Sequence, residues 1–274
     1  MSRLLGPREV RVLLDRYGLA AHKRHGQNFV VDPNTVRKVV RQAGVRPGDH
    51  VCEIGPGLGS LTLALLSAGA RVLAIEVDAG LVRALREVLA EATDVRIVHA
   101  DALQVSYAEL VEDQSLLVAN LPYNLATPLV ITALRSGRFR RALVMVQREV
   151  GERWAAHSGE SAYGAVSVKL AALAAVRMVG SVSRQAFYPV PNVDSVTVEL
   201  VPHPDTPDQT AFFALVTAGF AQRRKRLRNA LTAAGYDPSA VSRALRQTGF
   251  DDDIRAEQLS LPAWRALDAA LSDA

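Results

Sequence analysis

Residues 50–62 read HVCEIGPGLGSLT. A short apolar run reaches Glu53, and glycines follow at positions 55, 57 and 59 before a helical pattern sets in over 60–68. A strand that breaks into a glycine turn and resumes as a helix opens a βαβ unit. Three more apolar runs, each rich in β-branched residues, repeat the pattern. RVLAIE ends at Glu76, VRIVHAD at Asp101 and LLVAN at Asn120, and a helical pattern over 79–91 separates the first two. RALVMVQ (141–147) reads as a fifth strand. Continuous apolar strands joined by crossover helices predict a parallel sheet covered on both faces, hence a doubly wound α/β fold. All strands of such a sheet end at one edge, so Glu53, Glu76, Asp101 and Asn120 are expected to line one crevice. One acid after a strand is an ordinary helix cap; four in register point to a site.

The flanking sequence completes the layout. A short helix is expected over 7–17, and Asp32-Pro33 opens another to about 43, with an N-cap acid and proline at the first helical position. Residues 148–157 and 163–174 read as helices and 177–183 as a strand. VDSVTVELV (193–201) alternates and is expected to close the sheet as an antiparallel partner. The proline-rich stretch PHPDTPD (202–208) then changes the text, and beyond it helices are expected over 209–221, 223–234, 238–248 and 262–272. Two domains are read: 1–202, and a small all-helical domain over 203–274.

Bulk properties narrow the function. Of 274 residues, 49% are hydrophobic and 22% charged, which suits a globular chain with a sizeable core. The net charge is only +4, but it is concentrated. Arg3, Arg8, Arg11, Arg16, Lys23 and Arg24 crowd the first thirty residues, and RRKRLR (Arg223, Arg224, Lys225, Arg226, Arg228 around Leu227) opens a later helix. Such clusters suit a phosphate backbone; the alternative is a solvated helix face. Cys52 is the single cysteine, so no internal disulfide forms, and a reducing, cytoplasmic setting is expected. Neither a signal peptide nor a membrane-spanning run is read. The six histidines show no ligand spacing, and no metal site is expected.

The glycine turn carries the cofactor reading. G-x-G-x-G is one residue tighter than the dinucleotide pattern. Pro56 removes a backbone donor, and Glu53 sets an anion beside the turn. Both are poor for a pyrophosphate, which needs donors, and disfavour a nicotinamide dehydrogenase. They suit a cationic ligand without phosphate, such as S-adenosylmethionine. Glu76 is placed to take ribose hydroxyls, and Asp101 to accept from the adenine amine.

The stretch LVANLPYNL (117–125) ends its strand on Asn120 and then sets Leu121, Pro122 and Tyr123 in a turn. An exocyclic base amine is a weak nucleophile because its lone pair is conjugated into the ring. The Asn120 side-chain oxygen and the Leu121 carbonyl can each accept one of its N–H groups, drawing the nitrogen toward tetrahedral geometry. Pro122 fixes the turn, and Tyr123 offers a face on which a flipped base can stack.

Taken in order, GQNFVVD (26–32), EIGPGLGSLT (53–62), the Glu76 and Asp101 strand ends, NLPYN (120–124) and FYPVPNVDS (187–195) resemble the KsgA-type rRNA adenine N6,N6-dimethyltransferases, a family that includes the erythromycin-resistance methylases. The resemblance implies a Rossmann-like, S-adenosylmethionine-dependent methyltransferase sheet with a helical C-terminal domain. It implies that Asn28 and the Val30 backbone close over the cofactor, and that Gly55, Gly57, Glu76, Asp101 and Asn120 contact it or its immediate surroundings. Asn120, Leu121, Pro122 and Tyr123 would hold the target adenine, and Phe187 would clamp its other face. The implied substrate is a pair of adjacent adenosines near the 3′ end of small-subunit rRNA, in an assembling subunit, with Lys23, Arg24 and the 223–228 cluster gripping RNA. A monomer is expected. Two rivals remain open: a methyltransferase of large-subunit rRNA, and an rRNA-binding assembly factor with incidental catalysis. The chain departs from the family pattern at Val30, where leucine is usual after Phe29, and at Ala126, where a small hydroxyl residue is common.

Overall fold

The structure is a computed structural model that describes residues 4–19, 28–204, 208–222 and 225–272. Helix α1 (Pro7–Arg16) leads to a short strand β1 (Phe29–Val30) and helix α2 (Pro33–Ala43). The Asp32 side chain caps α2 by accepting from the Asn34 and Thr35 N–H groups, and Gly44 ends it in the left-handed region. The alternation then runs β2 (His50–Ile54), α3 (Ser60–Ser67), β3 (Arg71–Glu76), α4 (Ala79–Val88), β4 (Val95–His99), α5 (Tyr107–Leu110), β5 (Ser115–Asn120), α6 (Ala126–Arg135), β6 (Phe139–Gln147) and α7 (Arg148–Ala155). Next come α8 (Ala165–Leu173), β7 (Ala174–Val182), a short strand β8 (Phe187–Tyr188) and β9 (Ser195–Pro202). Helices α9 (Thr210–Phe220), α10 (Leu227–Ala233), α11 (Pro238–Gln247) and α12 (Leu261–Ser272) complete the chain.

The main sheet has the order β4-β3-β2-β5-β6-β9-β7. β2 through β6 are parallel, and β9 runs antiparallel to β6. The chain winds outward from β2 to β4 and then returns to lay β5 on the other side of β2. The C-terminal ends of β2 and β5 therefore flank the switch point where such sheets bind ligands. Residues of β5 are almost wholly buried, as a parallel strand covered on both faces requires.

Strand β9 pairs antiparallel with β6, as expected, but does not close the sheet. It lies inside the sheet, between β6 and β7, and its polar positions are as buried as its apolar ones. The alternation of VTVEL is real, but its polar face is covered and satisfied. Thr197 donates to the Gln42 side-chain oxygen at 3.2 Å, and Glu199 is paired with both Arg141 and Arg177. Buried polar groups persist where they find such partners. β1 and β8 form a separate two-stranded antiparallel ribbon, Phe29 opposite Tyr188 and Val30 opposite Phe187.

By packing, the chain divides into two units: 1–151 with 176–202, and 152–175 with 203–274. The proline-rich stretch marks one crossing between them, while residues 152–175, read with the catalytic domain, pack with the C-terminal helices. Within this second unit the Tyr163 hydroxyl donates to the Leu259 carbonyl at 2.8 Å. Trp264 is fully buried and stacks on Phe220, and a Cβ on Gly219 would meet its ring at 2.4 Å. Only glycine fits there. Among the described residues, no helix is long and apolar enough to cross a membrane.

Candidate active site

A cavity of about 420 Å³ opens at the switch point, and Glu53, Glu76, Asp101 and Asn120 all line it. Pro122, Tyr123, Asn28 and Val30 line it as well. Among the described residues, its wall contains four acidic side chains, Asp78 being the fourth, and no Lys, Arg or His. A phosphate would find no cation here, whereas a cationic ligand would be welcomed.

The glycine turn is built for close approach. Gly55, Gly57 and Gly59 have φ of 68°, 58° and 91°, a region that other residues rarely enter. At Gly57 space is tight too, because a Cβ would lie 3.0 Å from the Phe29 ring and the ring would have to give way. The Gly57 N–H donates to Glu76 Oε2 at 3.1 Å, while Val77 and Asp78 N–H donate to Oε1 at 2.9 and 3.0 Å. One carboxylate thus ties the turn to the end of β3. Burial raises the Glu76 pKa, and the three backbone donors oppose that shift.

Glu53 is 1% exposed. The Thr62 hydroxyl donates to its Oε2 at 2.6 Å. Burial pushes its pKa up to about 8; the Thr62 bond opposes this and the neighbouring Glu76 adds to it. The folded protein thus holds a proton that the unfolded chain releases near pH 4.5. The stability this confers is complete below that value and is lost as pH rises through about 8, at about 1.4 kcal/mol per pH unit in between. Glu53→Gln should remove this component. Urea denaturation of both proteins from pH 5 to 8.5 is expected to show the variant gaining on the parent as pH rises. Parallel stability curves would exclude a protonated Glu53.

At the end of β5 the Asn120 amide nitrogen donates to the Asn28 carbonyl at 2.9 Å. A carbonyl can only accept, so this contact decides which end of the amide is which. It leaves Oδ1 as the acceptor of Asn120, which lines the cavity. Leu121 is buried and its N–H donates to the Met145 carbonyl, which extends strand pairing one residue into the loop. Pro122 stands beside Gly55, its Cδ 4.0 Å from where a Cβ there would lie. Tyr123 is half-buried, and its hydroxyl lies 3.0 Å from Ser195 Oγ.

Two expectations need correction or refinement. Phe187 does not line the cavity: it is 1% exposed and belongs to the main apolar core, with Val30, Val182 and Ala186. Its place opposite Val30 in the β1–β8 ribbon makes it part of that core. Asp101 does reach the cavity, but its oxygens already accept from the Leu103 N–H and the Gln104 amide, each at 2.9 Å. A carboxylate has about four acceptor positions, so room remains for a ligand.

Of the basic residues, Lys23, Arg24, Arg223 and Arg224 lie outside the described residues. Lys225 and Arg226 are exposed, whereas Arg228 faces Asp252, with Nε 3.9 Å from Oδ2. Helix α10 begins only at Leu227, with Arg226 as its N-cap. Sequence reasoning missed Phe29, Asp78 and Ser195. Each had a signal in hindsight: Phe29 and Ser195 sit in quoted motifs, and Asp78 is a helix cap two residues beyond Glu76.

A doubly wound parallel sheet, a glycine turn without phosphate-binding cations and an amide acceptor at the switch point define a Rossmann-like methyltransferase. The family model of ribosomal RNA adenine dimethylases matches residues 18–266. The chain is 49% identical over 269 residues to the ribosomal RNA small subunit methyltransferase A of Leifsonia xyli subsp. xyli, covering 94% of this chain and 95% of that protein. It is 47% identical to the protein of the same name from Thermobifida fusca, covering 95% and 93%. Among solved structures, a dimethyladenosine transferase from Plasmodium falciparum matches with a TM-score of 0.73 at 25% identity, over 86% of this chain and 94% of that one. The 23S rRNA methyltransferase ErmE matches with a TM-score of 0.65 at 26% identity, over 89% and 100%. The chain belongs to the ribosomal RNA adenine dimethylase family.

Proposed function

We propose that this protein dimethylates the N6 amines of two adjacent adenosines near the 3′ end of small-subunit rRNA, in an assembling small subunit, with S-adenosylmethionine as methyl donor. It is read as a cytoplasmic monomer. The observation that supports the chemistry is the Asn28–Asn120 contact, which takes up the amide nitrogen and leaves the oxygen as the acceptor of a residue that lines the cavity. Support for the small-subunit substrate comes from relatives of that name, alike over nearly the whole length at 47–49% identity, against 26% for a large-subunit enzyme.

The cavity fits the proposed donor. Its wall is anionic, its glycine turn leaves no Cβ in the way, and Asn28, Gly55, Gly57, Glu76 and Asp101 are the residues that would hold it. When bound, S-adenosylmethionine supplies an electrophilic methyl carbon on a sulfonium. Glu76, with one of its about four acceptor positions still open, would accept from a ribose hydroxyl, and Asp101 would accept from the adenine amine of the donor. Asn120 Oδ1 and the Leu121 carbonyl accept from the target N6 and expose its lone pair. Tyr123 stacks on the base. No strong base is required: the N–C bond forms as the S–C bond breaks, the sulfonium would leave as a neutral thioether, and the methylated N6, now a cationic ammonium, is acidic enough to lose its proton to water. Catalysis here is positioning and preorganised hydrogen bonding.

The test is transfer of labelled methyl from S-adenosylmethionine to unmethylated small-subunit particles, followed by nucleoside analysis. N6,N6-dimethyladenosine in that RNA is expected; label appearing only in large-subunit particles would overturn the substrate assignment. The basic stretch has its own readout. Neutralising Arg223, Arg224 and Arg226 should weaken RNA binding, and each lost phosphate contact should lower the slope of log K against log salt by about 0.7–0.9. An unchanged slope would make that stretch a solvated face.

A further inference from the structure

Ser195 ends the FYPVPNVDS stretch, and nothing in the chemistry above uses it. It is fully buried at 0% exposure, where a hydroxyl needs a partner. Its Oγ lies 3.0 Å from the Tyr123 hydroxyl, across 72 residues of sequence. The two groups have different supports. Ser195 begins β9 opposite Gln147, at the end of β6. The residue before it is held twice: the Asp194 carbonyl accepts from Arg148 N–H at 3.0 Å, and its Oδ1 accepts from Arg184 N–H at 2.9 Å. On the other side of β6, Asn120 stands opposite Met145. The Ser195 hydroxyl therefore rises from a fixed strand edge within two residues of the level of the catalytic amide. Tyr123 belongs instead to the loop between β5 and α6, whose turn is closed by Leu125 N–H donating to the Pro122 carbonyl at 3.1 Å.

We propose that Ser195 is a positioning residue for methyl transfer, pinning the Tyr123 hydroxyl and so setting the plane of the ring on which the target adenine stacks. This rests on the reading of Tyr123 as the stacking platform. A tyrosine held only at its backbone swings about two side-chain torsions. A second hold at the far end of the ring stops both motions. The base then meets a surface already at its working angle, and the N6 amine arrives within reach of Asn120 without a search. The proposal also gives the serine of the motif a task in the reaction, through a residue of a different motif.

The experiment compares Ser195→Ala, Ser195→Thr, Tyr123→Phe and the double variant Ser195→Ala/Tyr123→Phe, using the full chain, S-adenosylmethionine and unmethylated small-subunit particles. Ser195→Ala and Tyr123→Phe are each expected to lower kcat about five- to tenfold, the effect of one orienting hydrogen bond, with donor affinity unchanged. The double variant should be no slower than either single one, because a single bond has been removed. Ser195→Thr keeps the hydroxyl and should recover most of the rate. A bond serving only to satisfy a buried hydroxyl would lower Tm and leave kcat at the parental value in both single variants; that result overturns the proposal. So would multiplicative losses in the double variant, which would give the two residues independent roles. Failure of the parent enzyme to methylate any particle would instead overturn the functional reading beneath it.

Discussion

Asn120→Ala is expected to slow methyl transfer by on the order of a hundredfold and to leave S-adenosylmethionine affinity within a few-fold of the parent, the usual consequence of losing one transition-state hydrogen bond. The reason lies in the division of labour within one amide. Its nitrogen is engaged by the Asn28 carbonyl at 2.9 Å, which leaves its oxygen as the acceptor. Alanine removes the acceptor that draws the target N6 out of conjugation, while Glu76 and the glycine turn remain to hold the donor. Asn120→Asp tests the same geometry differently. A carboxylate cannot donate to a carbonyl, so it would face the Asn28 oxygen acceptor against acceptor and turn away. It should therefore be slow as well, despite keeping an oxygen. Single-turnover rates and calorimetric donor affinities check both variants. Equal losses in affinity and rate for Asn120→Ala would contradict the assignment.

Glu76→Ala should weaken donor binding by on the order of a hundredfold and destabilise the fold. Hydrogen bonds to a charged acceptor contribute about 1.5–3 kcal/mol, and a buried donor left without a partner costs about 1–3 kcal/mol. Three N–H groups, from Gly57, Val77 and Asp78, depend on this one side chain, so its loss releases the glycine turn as well as the ribose contact. Glu76→Gln keeps the shape, but sets an amide N–H against one of those donors, and an intermediate defect is expected. The measurements are donor affinity by calorimetry and Tm. An alanine variant that binds as tightly as the parent would remove Glu76 from the site.

The strand ends were legible because their signal is local. Each parallel strand is apolar from end to end, and the first polar residue after it marks the sheet edge. Periodicity reads such runs directly, and Glu53, Glu76, Asp101 and Asn120 follow from it. Helix α6 (Ala126–Arg135) escaped notice because its sequence, ATPLVITALR, begins without a side-chain cap and is dense in β-branched residues. Helix α10 starts later than expected because arginines are good helix formers in isolation, yet Arg226 takes up extended backbone as its N-cap. The alternation of β9 sets out a polar side, and nothing local in the sequence says what covers it. That side is buried because Gln42, Arg141 and Arg177 come from distant parts of the chain to meet it.

By itself, the sequence determined a doubly wound sheet, a glycine turn hostile to pyrophosphate, an asparagine at the switch point and a helical C-terminal segment. Each of these depends on residues within a few positions of one another, where periodicity, φ preference and missing donors act directly. Tertiary structure alone decided how those parts work together. It turned the Asn120 amide by a carbonyl 92 residues away, and it withdrew Phe187 into the core by pairing it with Val30. It placed residues 152–175 with the C-terminal helices, and it raised the Glu53 pKa to about 8 by shutting out water. Burial and long-range hydrogen bonding are properties of the assembled fold, and no short stretch of sequence contains them.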